Sequence, residues 1–194
     1  RFIFLHRWRQ YDSEQFKTVG GFGTRMLTAS LDGDDIRVVD PYGFTSHFIW
    51  RDPSTILAWA KVPSFGHAFY LFEDAAKENI QPVGLDIMTR NGHCTYLPGG
   101  QYILNDCYPD KERNQTVYLY DIATQDTTTL GKFYLPEDYK GEWRVDTHPR
   151  YNHTGSQICI DGVAEGQGRQ LFLIDGLVDG RSDIGISLES LVSQ

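Results

Sequence analysis

Residues 93–106 and 148–161 are two copies of one phrase. The first reads His-Cys-Thr-Tyr-Leu-Pro-Gly-Gly-Gln-Tyr-Ile-Leu-Asn-Asp. The second reads His-Pro-Arg-Tyr-Asn-His-Thr-Gly-Ser-Gln-Ile-Cys-Ile-Asp, 55 residues later and with no gap. His93 meets His148, Tyr96 meets Tyr151, Gly100 meets Gly155, Ile103 meets Ile158 and Asp106 meets Asp161. A weaker third copy begins at His47, 46 residues before His93, with Trp50 on Tyr96, Leu57 on Ile103 and Pro63 on Pro109. Self-similarity at such a period is the mark of a repeat architecture, in which each copy is one supersecondary unit.

The unit reads as β. A short strand leads to a Pro-Gly-Gly or Thr-Gly turn, and an apolar strand follows. About ten residues later comes a further apolar run, at 69–72, 117–120 and 171–174, closed by Glu73, Asp121 and Asp175. Turn residues between β-branched and aromatic runs are the hairpin signal. Roughly 40–55 residues per four-strand unit is the spacing of a propeller blade. The expected fold is therefore all-β, a β-propeller with about four blades present, near 1–44, 45–88, 91–145 and 146–194. A count just under four, with a chain that starts mid-blade, suggests part of a six- to eight-bladed propeller; a closed four-bladed ring is the alternative.

The chain divides accordingly. Residues 1–10 match 101–110 at an offset of 100 and read as a second strand, so the first strand of that blade is missing. Residues 11–23 read as a polar, Gly-rich loop, with outer strands at 25–29 and 35–39 joined through Asp32-Gly33. The second blade places strands near 46–50, 55–60, 68–72 and 81–83; residues 75–79 are too short for a helix on their own. Residues 135–144 form an insertion that accounts for most of the longer 55-residue spacing. The tail, 176–194, breaks the pattern; 184–191 reads as a last strand or a short helix. Residues 2–6 then carry an unpaired edge, which invites pairing. The expectation is pairing with residues outside this sequence; the alternative is closure of the ring by 184–188.

Charge and cysteine content exclude some classes. A net charge of −8 argues against nucleic acid, since phosphate binding calls for basic patches. No apolar run approaches the ~20 residues of a membrane span. The chain opens on Arg1, so either a leader has been removed or it belongs to a longer protein; a periplasmic or secreted location is favoured over a cytoplasmic one. Three cysteines, Cys94, Cys107 and Cys159, cannot all pair within the chain. Cys94 and Cys107 flank one hairpin, where a cross-strand bond competes with free, buried thiols. No pair has thiolate-zinc spacing. Asn114 and Asn152 head sequons, which matter only on a eukaryotic secretory route. There is no Gly-x-Ser-x-Gly elbow and no phosphate-binding Gly-rich loop.

The repeat turns scattered histidines into a geometric statement. The first strand of each blade lines the central channel, so His47, His93 and His148 are expected at one height around it. Converging imidazoles are a metal-ligand or general-base pattern; alternatively, each His caps a neighbouring strand. Asp106 and Asp161 occupy equivalent second-strand positions, to bond turn amides or the His of their own blade. Glu142, Arg144, Asp146, His148 and Arg150 alternate, and period 2 puts them on one face of an extended segment. That face is either merely solvated or aimed at a ligand, with Arg144 and Arg150 as clamps for a carboxylate or sulfate. Tyr96, Tyr108 and Tyr151 either pack or supply a phenol for proton transfer.

The His-x-x-Tyr-x-x-x-Gly-x-x-Ile/Leu frame of residues 93–110 and 148–161 resembles blades of the TolB-type propellers, in particular the oligogalacturonate-lyase-like group. The resemblance covers about three quarters of the chain. It implies that His93, in Gly92-His93, abstracts a proton and that His148 helps bind a divalent metal (Mn, Ca or Zn). The family's remaining ligands, a Gln and further His, have no counterpart here. On this reading the protein is a polysaccharide lyase that cleaves an acidic, uronate-containing glycan by metal-assisted β-elimination. His93 is then the base, Tyr96 or Tyr108 the acid, and Arg144 the catalytic carboxylate clamp. Arg150, Glu142 and Trp143 bind substrate, and His148, His47 and Asp146 hold the metal. The rival reading is a non-catalytic propeller that binds a protein or glycan partner. Either way, missing blades are expected from the rest of a longer chain or from another chain.

Overall fold

The computed structural model describes residues 1–12, 17–75, 79–175 and 189–190. These residues form four antiparallel sheets and one turn of 3-10 helix. The first sheet holds β1 (Phe2–Asp12), β2 (Lys17–Ala29) and β3 (Ile36–Asp40). The second holds β4 (Thr45–Asp52), β5 (Thr55–Val62), β6 (Gly66–Glu73) and β7 (Ile80–Val83). The third holds β8 (Thr95–Tyr96), β9 (Tyr102–Asp106), β10 (Asn114–Asp121) and β11 (Asp126–Tyr134). The fourth holds β12 (Arg150–Tyr151), β13 (Gln157–Ala164), β14 (Gly168–Asp175) and β15 (Glu189–Ser190). Strand neighbours are always sequence neighbours, so every sheet is a meander built from local hairpins.

The sheets fall into two compact units, Arg1–Thr89 and Arg90–Gln194. In the first unit, Met26 and Val39 of the first sheet pack on Ile56, Ala58, Tyr70 and Phe72 of the second. The buried Asp74 locks the same pair of sheets. It accepts the hydroxyl of Thr28, and two guanidinium groups meet it, Arg1 at 2.7 Å and Arg37 at 2.8 Å. A carboxylate removed from water needs such partners.

In the second unit, Leu104, Val117, Leu119 and Leu130 of the third sheet pack on Ile158, Ile160 and Ile174 of the fourth. Period-2 alternation in β10 and β13 puts these side chains on the facing surfaces. The repeat is visible in the backbone: Gly100 and Gly155 turn with φ of 72° and 76°. That left-handed region costs a residue with a Cβ but not glycine.

Four expectations need correction or completion. Much of 11–23 is strand, because β1 and β2 form one long hairpin paired as far as Asp12↔Lys17. The glycines concealed it: Gly23 leaves backbone bare, and the indole of Trp8 lies where its Cβ would be, 2.1 Å away. Aromatic cover of this kind lets glycine persist in a strand. The third copy slips by one residue, since Tyr96 pairs with Ile103 but Trp50 pairs with Ile56 rather than Leu57. The turn after β4 is shorter, closed by the Ser54 amide on Asp52 Oδ1 at 2.9 Å. The extended run from Glu142 to Arg150 is broken by the 3-10 turn Gly141–Trp143 and by a left-handed His148. All three cysteines are free thiols.

In the tail, Glu189–Ser190 pairs with Leu173 and Phe172 of β14 as a last strand. Residues 184–188 lie outside the described residues, and so does their pairing with 2–6. The short segment 75–79 lies partly outside them too.

Candidate functional site

His93 and His148, equivalent positions of the repeat, are in contact. Their ring centroids are 3.8 Å apart, with the planes tilted by 40°. His93 leads into β8 and His148 into β12. Packing of the third sheet on the fourth brings these two leading segments together.

His93 is held by Asp106 at the end of β9. Its main-chain amide donates to Oδ1 at 2.6 Å, and Nδ1 lies 3.0 Å from both carboxylate oxygens. Thr147 Oγ1 donates to Oδ2 at 2.5 Å. Asp106 is 1% exposed. Burial alone pushes its carboxyl up. The His93 ring, the Thr147 hydroxyl and the His93 amide outweigh that and hold it below the usual carboxylate range. The carboxylate is therefore ionised and can only accept, so the imidazole donates to it through Nδ1. Gly92 makes the approach feasible. A Cβ there would sit 1.8 Å from the Asp106 carbonyl oxygen and 2.6 Å from its carbon.

His148 is exposed, with Nδ1 at 3.2 Å from the Asp146 carbonyl and φ of 38°. A non-glycine residue in that region is uncommon and clusters at sites where geometry matters. Arg144 grips Asp146 with both ends of its fork, at 2.5 and 2.8 Å. Its Cζ stands 4.6 Å over the Tyr108 ring, and the Tyr108 and His93 rings make an edge-on contact with centroids 5.8 Å apart. The Asp146 bond raises the guanidinium's affinity for its proton against the opposing effect of burial. His93, His148, Tyr108, Arg144 and Asp146 thus form one cluster, with Asp106 and Thr147 beneath it.

The segment that delivers Arg144 is clamped at both ends. Arg113 donates to the carbonyls of Leu135, Pro136 and Tyr139 at 2.7, 3.1 and 2.9 Å. Arg169 on β14 donates to the Trp143 carbonyl at 2.8 Å. Trp143 itself is 73% exposed, and Glu142 beside it is exposed.

The other expected residues are distributed differently. Tyr96 is buried in β8. Arg150 pairs with Asp161 at 2.7 Å, so the equivalent aspartates differ: Asp106 holds a histidine and Asp161 an arginine. His47 belongs to the first unit, where the β4 register shifts between Thr45 and Phe48, and its Nδ1 meets Ser46 Oγ at 3.1 Å. The sequence reading did not single out Thr147, Arg113 or Arg169. Thr147 lies one residue before the repeated phrase, opposite Gly92, so nothing there flagged it.

Among the described residues the donors do not close a metal site. Asp106 is taken up by His93 and Thr147, and Asp146 by Arg144. Among the described residues no group of three His, Cys, Asp or Glu side chains converges on one point. Zinc sites use at least three protein ligands and calcium more, so the described residues do not by themselves supply the ligand set that the resemblance implies.

No family model matches the chain, and no curated protein matches it. Solved structures do. A chain described as oligogalacturonate lyase in complex with manganese is 20% identical, with a TM-score of 0.52 over 79% of this chain and 40% of that one. TolB from Acinetobacter baumannii is 19% identical, with a TM-score of 0.57 over 82% of this chain and 36% of that one. Both are propellers. The fold is a β-propeller. The chain spans about two fifths of the length of these neighbours. The histidine cluster lies where the first strands of the third and fourth sheets begin. Among the described residues no helix is long and apolar enough to cross a membrane.

Proposed function

We propose that the chain belongs to a propeller that cleaves a uronate-containing glycan by β-elimination, with His93 as the base. The observation that carries this reading is the His93–Asp106 pair beside His148. A buried carboxylate on Nδ1 orients an imidazole and stabilises the positive charge it gains as a base. Elimination at a uronate removes the C5 proton, offsets the carboxylate charge as the carbanion develops, and protonates the departing O4 oxygen. Arg144 is suited to the second task, because its planar fork matches a carboxylate; substrate then competes with Asp146 for it. Tyr108, in contact with both His93 and Arg144, is placed for the third. Trp143 offers a flat face for a sugar ring, with Glu142 and Arg150 as polar partners. No step here is routed through a metal.

The test is the ultraviolet absorbance of unsaturated product, measured with the complete protein on polygalacturonate and other uronic polymers, metal supplied. Product should form, and His93→Gln should remove it. A flat trace from the complete protein sinks the reading. Further blades from a longer chain or a second chain complete the proposal, and the intact mass of the native protein checks that. A periplasmic or secreted location goes with such a substrate, and cell fractionation checks it.

A non-catalytic propeller that binds a protein or glycan is the second reading. The occupied Arg144–Asp146 pair supports it. Calorimetry with oligogalacturonate separates the two: binding without turnover, unchanged in His93→Gln, favours the second.

A further inference from the structure

Thr147 stands outside the repeat and outside the roles given above, yet it is fully buried beneath the cluster. Its hydroxyl donates to Asp106 Oδ2, and its carbonyl accepts the Asp161 amide at 2.8 Å. One residue of the fourth sheet's leading segment therefore completes the hydrogen bonding of a carboxylate on the third. We infer that Thr147 is a positioning residue: by occupying Oδ2 it keeps Asp106 ionised and turned toward His93, and so keeps the His93 proton on Nδ1. The inference rests on His93 being the base, though the geometry it invokes does not.

The argument is one of satisfied lone pairs. Asp106 is buried, and a buried carboxylate short of donors protonates instead of staying charged. His93 supplies two donors, its amide and its ring. Among the described residues the third comes from Thr147. Without it, Oδ2 has the ring alone, the carboxyl gains affinity for a proton, and a protonated Asp106 can donate to Nδ1. That reverses the tautomer and leaves the Nε2 nitrogen carrying a proton, which is the wrong form for a base.

The first unit shows what a purely structural version looks like. There Thr28 donates to Asp74, but Asp74 is met by two arginines and no histidine. Thr28 and Asp74 lock sheets. Thr147 and Asp106 do that and also fix an imidazole.

The test reads the tautomer directly by ¹⁵N NMR of histidine-labelled protein at neutral pH. In the parent chain His93 should be wholly the Nδ1–H form. Thr147→Val should shift it toward the mixed tautomers of an unrestrained imidazole, and Thr147→Ser should restore it. On a uronate polymer Thr147→Val should lose about tenfold to a hundredfold in kcat with KM held, part of the roughly 10²–10⁴ that a positioned base supplies. If Thr147→Val melts earlier but keeps His93 wholly Nδ1–H, Thr147 is only a lock and the inference fails. If that variant does not fold, the parent still decides. A slowly exchanging Thr147 hydroxyl proton with an NOE to the His93 ring supports the inference, and its absence overturns it. A tautomer shift in a protein without lyase activity would leave the positioning role standing and remove the functional reading instead.

Discussion

Replacing Gly92 with alanine adds one methyl group, and the structure says where it goes. The new Cβ would lie 1.8 Å from the Asp106 carbonyl oxygen and 2.6 Å from its carbon. Ordinary contact begins near 3.4 Å, so the two backbones must part by about 1.6 Å. The atom met is main chain, which cannot swing aside as a side-chain tip can. Parting the two segments stretches the bond from the His93 amide to the Asp106 carboxylate, now 2.6 Å, past useful length. Overpacking costs about 1–3 kcal/mol, and losing a hydrogen bond to a charged group costs about 1.5–3 kcal/mol. The expected loss is about 2.5–6 kcal/mol, a large share of the roughly 5–15 kcal/mol that holds a typical domain together. Urea unfolding of the parent, Gly92→Ala and Gly21→Ala measures it. Gly21 is the control, because nothing lies within 4 Å of a Cβ placed there. Equal midpoints for the two variants would refute the claim that close backbone approach fixes glycine before His93.

Further outcomes follow from the same geometry. Asp106 has a depressed pKa, so its contribution to stability is present above the unfolded value of about 4 and is lost as pH falls through its lower folded value; Asp106→Asn should flatten the acid limb of a stability–pH curve. Asp40 has the opposite sign, since burial raises its carboxyl, so its contribution is full below the unfolded value and fades as pH rises through the folded one; Asp40→Asn should cost least at neutral pH. Burial pushes the Cys94 thiol up to about 12 while Cys159 is half-exposed; a thiol reagent should label Cys159 in the native chain and reach Cys94 only after unfolding. Trp143→Ala should leave the melting temperature within a degree or two of the parent, since the ring is 73% exposed, while KM for a uronate polymer rises.

Sequence and structure agree most where a signal is repeated. The phrase at 93–106 and 148–161 placed β8, β9, β12 and β13, and it brought His93 and His148 together, because in-register positions on packed sheets become neighbours. It failed where one residue changes the geometry. A turn one residue shorter after Asp52 shifted the third copy. Glycine hid the strand at 17–23 because its cover, Trp8, comes from the neighbouring strand. Most of the support around His93 was also illegible. Thr147 acts through a partner 41 residues away, and Arg113 through carbonyls, which carry no side-chain signature. Alternating charges from Glu142 to Arg150 suggested an extended face; the left-handed His148 undid the period, as a single dihedral can.

The two arginine clamps on the segment before His148 have a mechanical meaning. Arg113 grips one end from the third sheet, and Arg169 grips the other from the fourth. The segment between them behaves as a short tie-bar across two bodies. A change in the spacing or tilt of those sheets is therefore felt at the clamped end, Trp143, and at Arg144, the next residue. Small shifts of one sheet against the other, too slight to alter the packed core, would thereby reach the two side chains that the proposed function assigns to substrate.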